Sequence, residues 1–192
     1  MRLPVPPIAA YLALLGWSSI PFVPTEPAIL AAGSYAGSTT LSIFIVIAAG
    51  ALGGFVSDLL KYAIGYYTGP AVLRRLGRRS RGRRTVDWVQ SRLLRAGPAV
   101  LVPAQFVPLG APTACLLCGA LRLRLLPVIA ATAVATTTWS ACFALIGFLG
   151  GATTGDPILG LVPALAAALG IGALVKRRIP ATPPPSASGT PR

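Results

Sequence analysis

The sequence predicts an all-α integral membrane protein, a multi-span helical bundle with two opposed re-entrant hairpins. Of its 192 residues 54% are hydrophobic and only 11% are charged, and the mean hydropathy is +0.73. A soluble domain carries roughly a quarter charged residues and could not bury this much apolar surface, so lipid is the expected solvent. These values exclude a soluble globular domain and a disordered chain.

The first elements are a short apolar helix and a broken segment. Residues 8–20 are apolar and rich in Ala and Leu; a signal peptide is the alternative, although no clean small-residue cleavage site follows. Residues 21–35 place three prolines around Glu26 in an otherwise apolar run. Two breaks and a buried carboxylate favour a re-entrant hairpin over a straight helix.

A long span follows. The apolar helical pattern of residues 41–67 covers 27 residues, enough to cross the ~30 Å hydrocarbon core with tilt. Asp58 and Lys61 lie one helical turn apart in it and share a face. Residues 74–84 then hold seven arginines, and residues 85–96 show an imperfect amphipathic pattern that predicts a helix lying on the membrane surface.

The remaining elements are a second broken segment and two spans. Residues 97–121 are apolar but carry four prolines within fifteen residues, which excludes one regular spanning helix and predicts a second hairpin. The composition then predicts a span, a turn, a last span and a disordered tail, at residues 125–149, 150–157, 158–175 and 179–192. The polytopic membrane domain accordingly covers residues 1–178.

The basic residues predict the orientation. When the arginine-rich stretch is cytoplasmic, Arg122, Arg124 and residues 176–178 reach the same side, so every basic residue except Lys61 lies on or beside the cytoplasmic face. The tail is then cytoplasmic as well. The two hairpins enter from opposite faces and meet near the midplane, as in inverted-repeat transporters.

The net charge of +13 is therefore interpreted as an orientation signal, and nucleic acid is not an expected partner. Contact with anionic lipid headgroups explains the arginine-rich stretch equally well. The residues that would make this contact are Arg74, Arg75, Arg78 and Arg79.

Few residues could support metal or nucleophile chemistry. The chain has no His, which removes the usual zinc ligand and triad base. Cys115 and Cys118 form one CxxC; a redox pair is one interpretation, but no βαβ pattern accompanies it, and small apolar filler is favoured. We expect no metal, no cofactor and no enzymatic activity.

Two of the four acidic residues, Glu26 and Asp58, lie at membrane depth. A carboxylate in hydrocarbon normally faces a partner or a wet cavity and marks a functional site, so both are candidates for transport and proton coupling. The structural alternative is that Asp58 only pairs with Lys61, and that Glu26 caps broken backbone at the hairpin.

Several motifs occur in a specific order and spacing. Residues 21–33 read PFVPTEPAILAAG, and Asp58 and Tyr62 lie in a G-x-x-x-D-x-x-x-Y-x-x-G frame. Residues 92–123 read RLLRAGPAVLVPAQFVPLGAPTACLLCGALRL, and Trp139 precedes FLGG at 148–151. Over residues 21–151 the chain resembles the DedA family, the bacterial branch of the SNARE-associated Golgi-protein (VTT-domain) membrane proteins, in which the second hairpin is ordinarily built around R-F-x-P-G-x-R.

The resemblance implies a lipid-phosphate flippase or scramblase of the bacterial plasma membrane, acting on undecaprenyl phosphate. The implied partners are membrane lipids, a polyprenyl phosphate among them, and protons, with coupling through Glu26 and Asp58. The further residues assigned to the pathway or hairpins are Lys61, Tyr62, Gln105 and Pro108.

The second hairpin departs from the family pattern. Gln105 and Ala111 stand where arginines are expected, and Leu109 replaces the glycine. Arginine can bind a phosphate bidentately, whereas glutamine and alanine cannot. One alternative is therefore a degenerate member that acts as a membrane-organising or partner-binding scaffold without transport. A membrane phosphatase is a second alternative, disfavoured by the absence of His and by only two embedded acids.

Overall fold

A computed structural model describes residues 7–39, 41–77, 91, 97–106 and 109–162 of the chain. These residues form helices and turns without a strand, which confirms the all-α prediction. The helices are α1 (Pro7–Ser19), α2 (Glu26–Ser38), α3 (Ile43–Gly77), α4 (Leu101–Ala104, after a 3₁₀ turn at Gly97–Val100), α5 (Gly110–Ala120) and α6 (Leu125–Thr154).

The first predicted hairpin segment contains one break, between α1 and α2, instead of two. Residues 20–25 form the turn, where Phe22 adopts a positive φ of 68° and Trp17 Nε1 donates a 3.3 Å hydrogen bond to the carbonyl oxygen of Pro24. Pro27 does not interrupt the chain, because a proline in the first helical turn sacrifices no intrahelical hydrogen bond. The expectation of a second break was therefore wrong.

The two long spans are observed as helices. Ile43–Gly69 and Leu125–Thr154 are each long and apolar enough to cross a membrane. Gly69 has non-helical backbone angles (φ 22°, ψ −101°) that interrupt α3 beyond the predicted span. The bundle's outer surface carries exposed large hydrophobic side chains, Phe44 and Leu126 among them, as is typical of helices in contact with lipid.

The predicted turn at residues 150–157 starts too early. Helix α6 continues to Thr154 and ends at Gly155, which has a φ of 65° and caps the helix. The helix continues past residue 149 because α6 packs closely on α2 at Gly151, where a Cβ would overlap the backbone of Ser34. Residues 158–160 form a turn, so the last predicted span does not begin there, and most of it lies outside the described residues.

The second predicted hairpin is broken as expected. The short helix α4 ends at Ala104, Gln105 and Phe106 form a turn, and Leu109 precedes α5 with a left-handed φ of 62°. The predicted surface helix at 85–96 and the tail lie outside the described residues, apart from Ser91, which is helical.

The two halves of the chain pack reciprocally. Helix α2 packs against α6, and α5 packs against α3. Both interfaces rely on glycine: a Cβ at Gly33 would overlap the backbone of Ala144, and a Cβ at Gly119 would overlap the backbone of Tyr62. Small residues of this kind let helix backbones approach closely in membrane proteins.

The long helices α3 and α6 run antiparallel through the centre. The hydroxyl of Ser140 donates a 3.0 Å hydrogen bond to the carbonyl oxygen of Ile47. Thr136 lies opposite Gly54. Thr136 precedes Ser140 in α6 whereas Gly54 follows Ile47 in α3, so the two helices run in opposite directions. Because α2 packs on α6 and α5 packs on α3, the two chain breaks lie beside the middle of the α3–α6 pair.

Candidate functional site

Both chain breaks line one cavity of about 650 Å³. The first break contributes residues 22–26, the second contributes Gln105, Phe106 and Leu109, and α3 and α6 supply most of the remaining wall. The structure therefore brings the two proline-containing segments to a common site. The charged residues that line the cavity are Glu26, Asp58 and Lys61.

Asp58 and Lys61 form a buried ion pair in the cavity wall. Lys61 Nζ lies 2.8 Å from Asp58 Oδ1, and the two residues are 8% and 4% exposed. Their spacing of three places them one helical turn apart on α3, as the sequence predicts. The pairing alternative is thus observed, and because the pair lines the cavity, pairing and a functional role are compatible.

Gln105 completes the coordination of the carboxylate. Its Nε2 donates a 2.7 Å hydrogen bond to Asp58 Oδ2, so each oxygen of Asp58 has a partner. Lys61 differs: of its three N–H donors, one is used within the described part of the chain, on Asp58. The amine at the cavity wall therefore has hydrogen-bonding capacity that the carboxylate lacks.

Glu26 is exposed, so the expectation of a buried carboxylate was wrong. It occupies the first turn of α2, where a negative charge is favourable beside the helix N-terminus, and it lines the cavity. Among the described residues its side chain accepts no hydrogen bond, so the capping alternative is not observed. The chain turns at Pro24 and Thr25 and then starts the helix, which leaves this side chain on the accessible side.

Tyr62, predicted at the pathway or a hairpin, packs in the helical core. Its hydroxyl donates a 2.8 Å hydrogen bond to the carbonyl oxygen of Leu123, and its ring lies in a core with Cys115 and Cys118. Tyr62 is not part of the cavity lining. Both cysteines are buried free thiols, in agreement with their interpretation as packing residues.

The arginine-rich stretch is covered only at its start. Arg74 and Arg75 belong to the last part of α3, whereas Arg78, Arg79 and the hairpin residue Pro108 lie outside the described residues. Their predicted roles stay predictions.

Ser18 is a cavity residue that sequence reasoning missed. It lies in α1 and is 1% exposed, and its hydroxyl has no hydrogen-bond partner in the described part of the chain. A serine in an apolar helix normally bonds its own backbone, as Ser19 does with Leu15, so no sequence signal distinguishes the two. Cys142 was also missed; it is an exposed free thiol in the lining.

The departures in the second hairpin affect this cavity directly. Gln105 and Ala111 both line it, and neither carries the positive charge that the resemblance implies there. Lys61 supplies the cation among the described lining residues. The described part of the chain contains no cluster of three or more His, Cys, Asp or Glu side chains suited to a metal ion.

Comparison with known proteins gives one match. A family model, the VTT domain, matches residues 20–149 of the chain. The matched segment contains both chain breaks, α3, most of α6 and the three charged residues described in the cavity lining. No curated protein and no solved structure matches the chain.

Proposed function

Because the chain belongs to the VTT-domain family of DedA and SNARE-associated Golgi proteins, generally membrane proteins, we propose that it moves a polyprenyl phosphate across the membrane. The observation that carries the proposal is the cavity at the meeting point of the two chain breaks, with Glu26, Asp58 and Lys61 in its lining. Charged groups inside an apolar bundle normally serve a substrate or ion pathway.

The cavity suits a headgroup better than a whole lipid. It is bounded by broken backbone on two sides, and such backbone at membrane depth is tolerated where it lines a wet cavity. A phosphate headgroup crosses through this cavity while its apolar tail stays in lipid. The protein then acts as a transporter, flippase or scramblase and not as an enzyme.

Charge arithmetic links transport to protons. With all three groups ionised, Glu26 and Asp58 contribute two negative charges and Lys61 one positive charge, which gives a net charge of −1. An incoming phosphate adds further negative charge to a poorly solvated space. Protonation of Glu26, whose side chain accepts no hydrogen bond from the described residues, brings the net charge of the three groups to zero and couples headgroup entry to proton uptake.

The proposal includes the membrane arrangement expected from the sequence. The two breaks enter as re-entrant hairpins from opposite faces of a bacterial plasma membrane, with the arginine-rich stretch on the cytoplasmic side. The packing of α2 on α6 and of α5 on α3 supports this arrangement, because it brings both chain breaks to one cavity between the long helices.

Transbilayer movement of a polyprenyl phosphate in liposomes tests the function. Wild-type protein is expected to accelerate movement over empty liposomes, and Glu26→Gln and Asp58→Asn to abolish the acceleration while retaining the folded state. Asp156→Asn is the matched control, since Asp156 lies outside the cavity lining and Asn can still accept the hydrogen bond from the Ile158 amide. No acceleration by folded wild-type protein would refute the proposal.

A scaffold without transport is the second candidate. The neutral Gln105 and Ala111 at the cavity favour it, because a phosphate gains no charge-assisted bond from either. Folded protein that moves no polyprenyl phosphate, and whose Glu26→Gln and Asp58→Asn variants leave partner binding in the membrane intact, would support the scaffold.

A further inference from the structure

We propose that Lys61 is the phosphate-binding residue of the cavity, and that it exchanges its ion pair with Asp58 for one with the headgroup. The inference rests on the proposed function and assigns its substrate-binding group. The ligand class is a phosphate monoester, carried by a lipid or free in solution.

Unused donors in the cavity lining are the first argument. Both oxygens of Asp58 are occupied, by Lys61 and by Gln105, whereas Nζ of Lys61 has two further N–H groups. A buried ammonium is costly unless its hydrogen bonds are satisfied. The Lys61 ammonium is therefore stabilised by a further hydrogen-bond acceptor, and such an acceptor can bind in the cavity that Lys61 lines.

Ser18 supplies the second and independent argument. Its hydroxyl is buried, has no hydrogen-bond partner among the residues that the structure describes, and lines the same cavity. A buried hydroxyl without a hydrogen bond is destabilising, because its hydrogen bonds to water are lost and not replaced. Lys61 and Ser18 offer hydrogens from different parts of the lining, and phosphate oxygens accept hydrogens, so the unused donors of this cavity match the chemistry of a phosphate.

Gln105 makes the exchange feasible. When Lys61 turns to the phosphate, Asp58 loses one partner but keeps the 2.7 Å hydrogen bond from the Gln105 amide. A carboxylate stripped of every partner would oppose the exchange strongly, because an uncompensated buried charge costs several kcal/mol. Asp58 thus acts as the competitor that returns Lys61 to its resting pair after the headgroup leaves.

Binding of dodecyl phosphate to the purified full-length protein in detergent tests the assignment. Dodecanol controls for the alkyl chain, and inorganic phosphate distinguishes a lipid headgroup from a free anion. Lys61→Met removes the charge with little change in volume, and Lys61→Arg keeps it. The neutral double variant Asp58→Asn with Lys61→Met avoids an unpaired buried carboxylate should the single variant unfold.

We expect the dodecyl phosphate affinity to fall when the Lys61 charge is removed and to rise when the Asp58 charge is removed. Lys61→Met and the double variant should lose roughly tenfold or more of the dodecyl phosphate affinity, Lys61→Arg should retain it, and Asp58→Asn should bind roughly tenfold tighter because the competitor is gone. Dodecanol binding should not change. A Lys61 that only stabilises the helix predicts no gain in Asp58→Asn, and that result, or unchanged affinity in the folded double variant, would overturn the assignment.

The failure of this inference and that of the proposed function are distinguishable. Polyprenyl phosphate movement in liposomes that persists in Lys61→Met would overturn the assignment and leave the function standing. Phosphate binding that depends on Lys61, without any movement by the wild type, would support the assignment and refute transport. Equal affinity for inorganic and dodecyl phosphate would identify a free anion as the ligand and overturn a lipid headgroup.

Discussion

The amide of Gln105 donates a 2.7 Å hydrogen bond to Oδ2 of Asp58, 47 residues away in the chain. Lys61 contacts the other oxygen of the same carboxylate at 2.8 Å. Asp58 thereby links the second chain break, which contains Gln105, to the ion pair on α3. A movement of that break would change the hydrogen bonding of the ion pair.

Replacement of Gln105 by leucine tests this link. We expect Gln105→Leu to lower the free energy of unfolding by about 1–3 kcal/mol, because a hydrogen bond to a buried carboxylate is lost. Denaturation in detergent measures the loss. In the Asp58→Asn background the same replacement should cost less, and additive losses in the double-mutant cycle would show that the two side chains do not interact.

Exchange of Asp58 and Lys61 tests whether the pair is only structural. The protein with lysine at 58 and aspartate at 61 keeps both charges on one face of α3, so we expect it to fold. We expect it to move no polyprenyl phosphate, because the amine and the carboxylate no longer occupy their places relative to Gln105. Size-exclusion chromatography and the liposome assay report the two properties, and normal movement would show that neutralisation alone is the role of the pair.

Leu109 has a left-handed φ of 62°, which costs a leucine roughly 1–2 kcal/mol. Leu109→Gly should therefore raise stability by about 0.5–1 kcal/mol after the greater flexibility of unfolded glycine is subtracted. Leu126 is the matched control: both leucines are 77% exposed, but Leu126 lies in the first turn of α6. Leu126→Gly should lower stability by at most about 1 kcal/mol, the cost of glycine in a helix interior. The same sign for both variants in thermal denaturation would contradict this explanation.

Gly119 tests the close approach of α5 and α3. A Cβ there would overlap the carbonyl oxygen of Tyr62, so Gly119→Ala should destabilise the protein by about 1–3 kcal/mol. In Gly16→Ala the added Cβ meets nothing within 4 Å, and this control should gain about 0.5–1 kcal/mol. Melting temperatures compare the two, and an unaffected Gly119→Ala would mean that the helices are farther apart.

Thiol labelling tests the lining of the cavity. Of the three cysteines Cys142 is exposed, whereas Cys115 and Cys118 are buried. We expect a maleimide to add once to the folded protein and not at all to Cys142→Ala, with intact mass spectrometry counting the adducts. Because Cys142 lines the cavity, the adduct should also block polyprenyl phosphate movement. Two or three adducts on folded protein would contradict the placement of the buried pair.

Local sequence determined the helices and the places where they stop. Apolar runs long enough for a membrane form α3 and α6, and both chain breaks lie within the proline-rich segments at 21–24 and 98–112, because proline limits the length of a regular helix. The same local logic placed Asp58 and Lys61 on one face. It failed at residues 150–154, where local glycine content predicts a turn.

Only the tertiary structure decided how these elements meet. Gly151 stays helical because α2 packs against it, and no local pattern reveals that contact. The pairing of Gln105 with Asp58, the entry of Ser18 into the cavity wall and the exposure of Glu26 depend on helices distant in sequence. Backbone propensity acts over a few neighbouring residues, whereas burial and hydrogen-bond partners are set by the packing of the whole bundle.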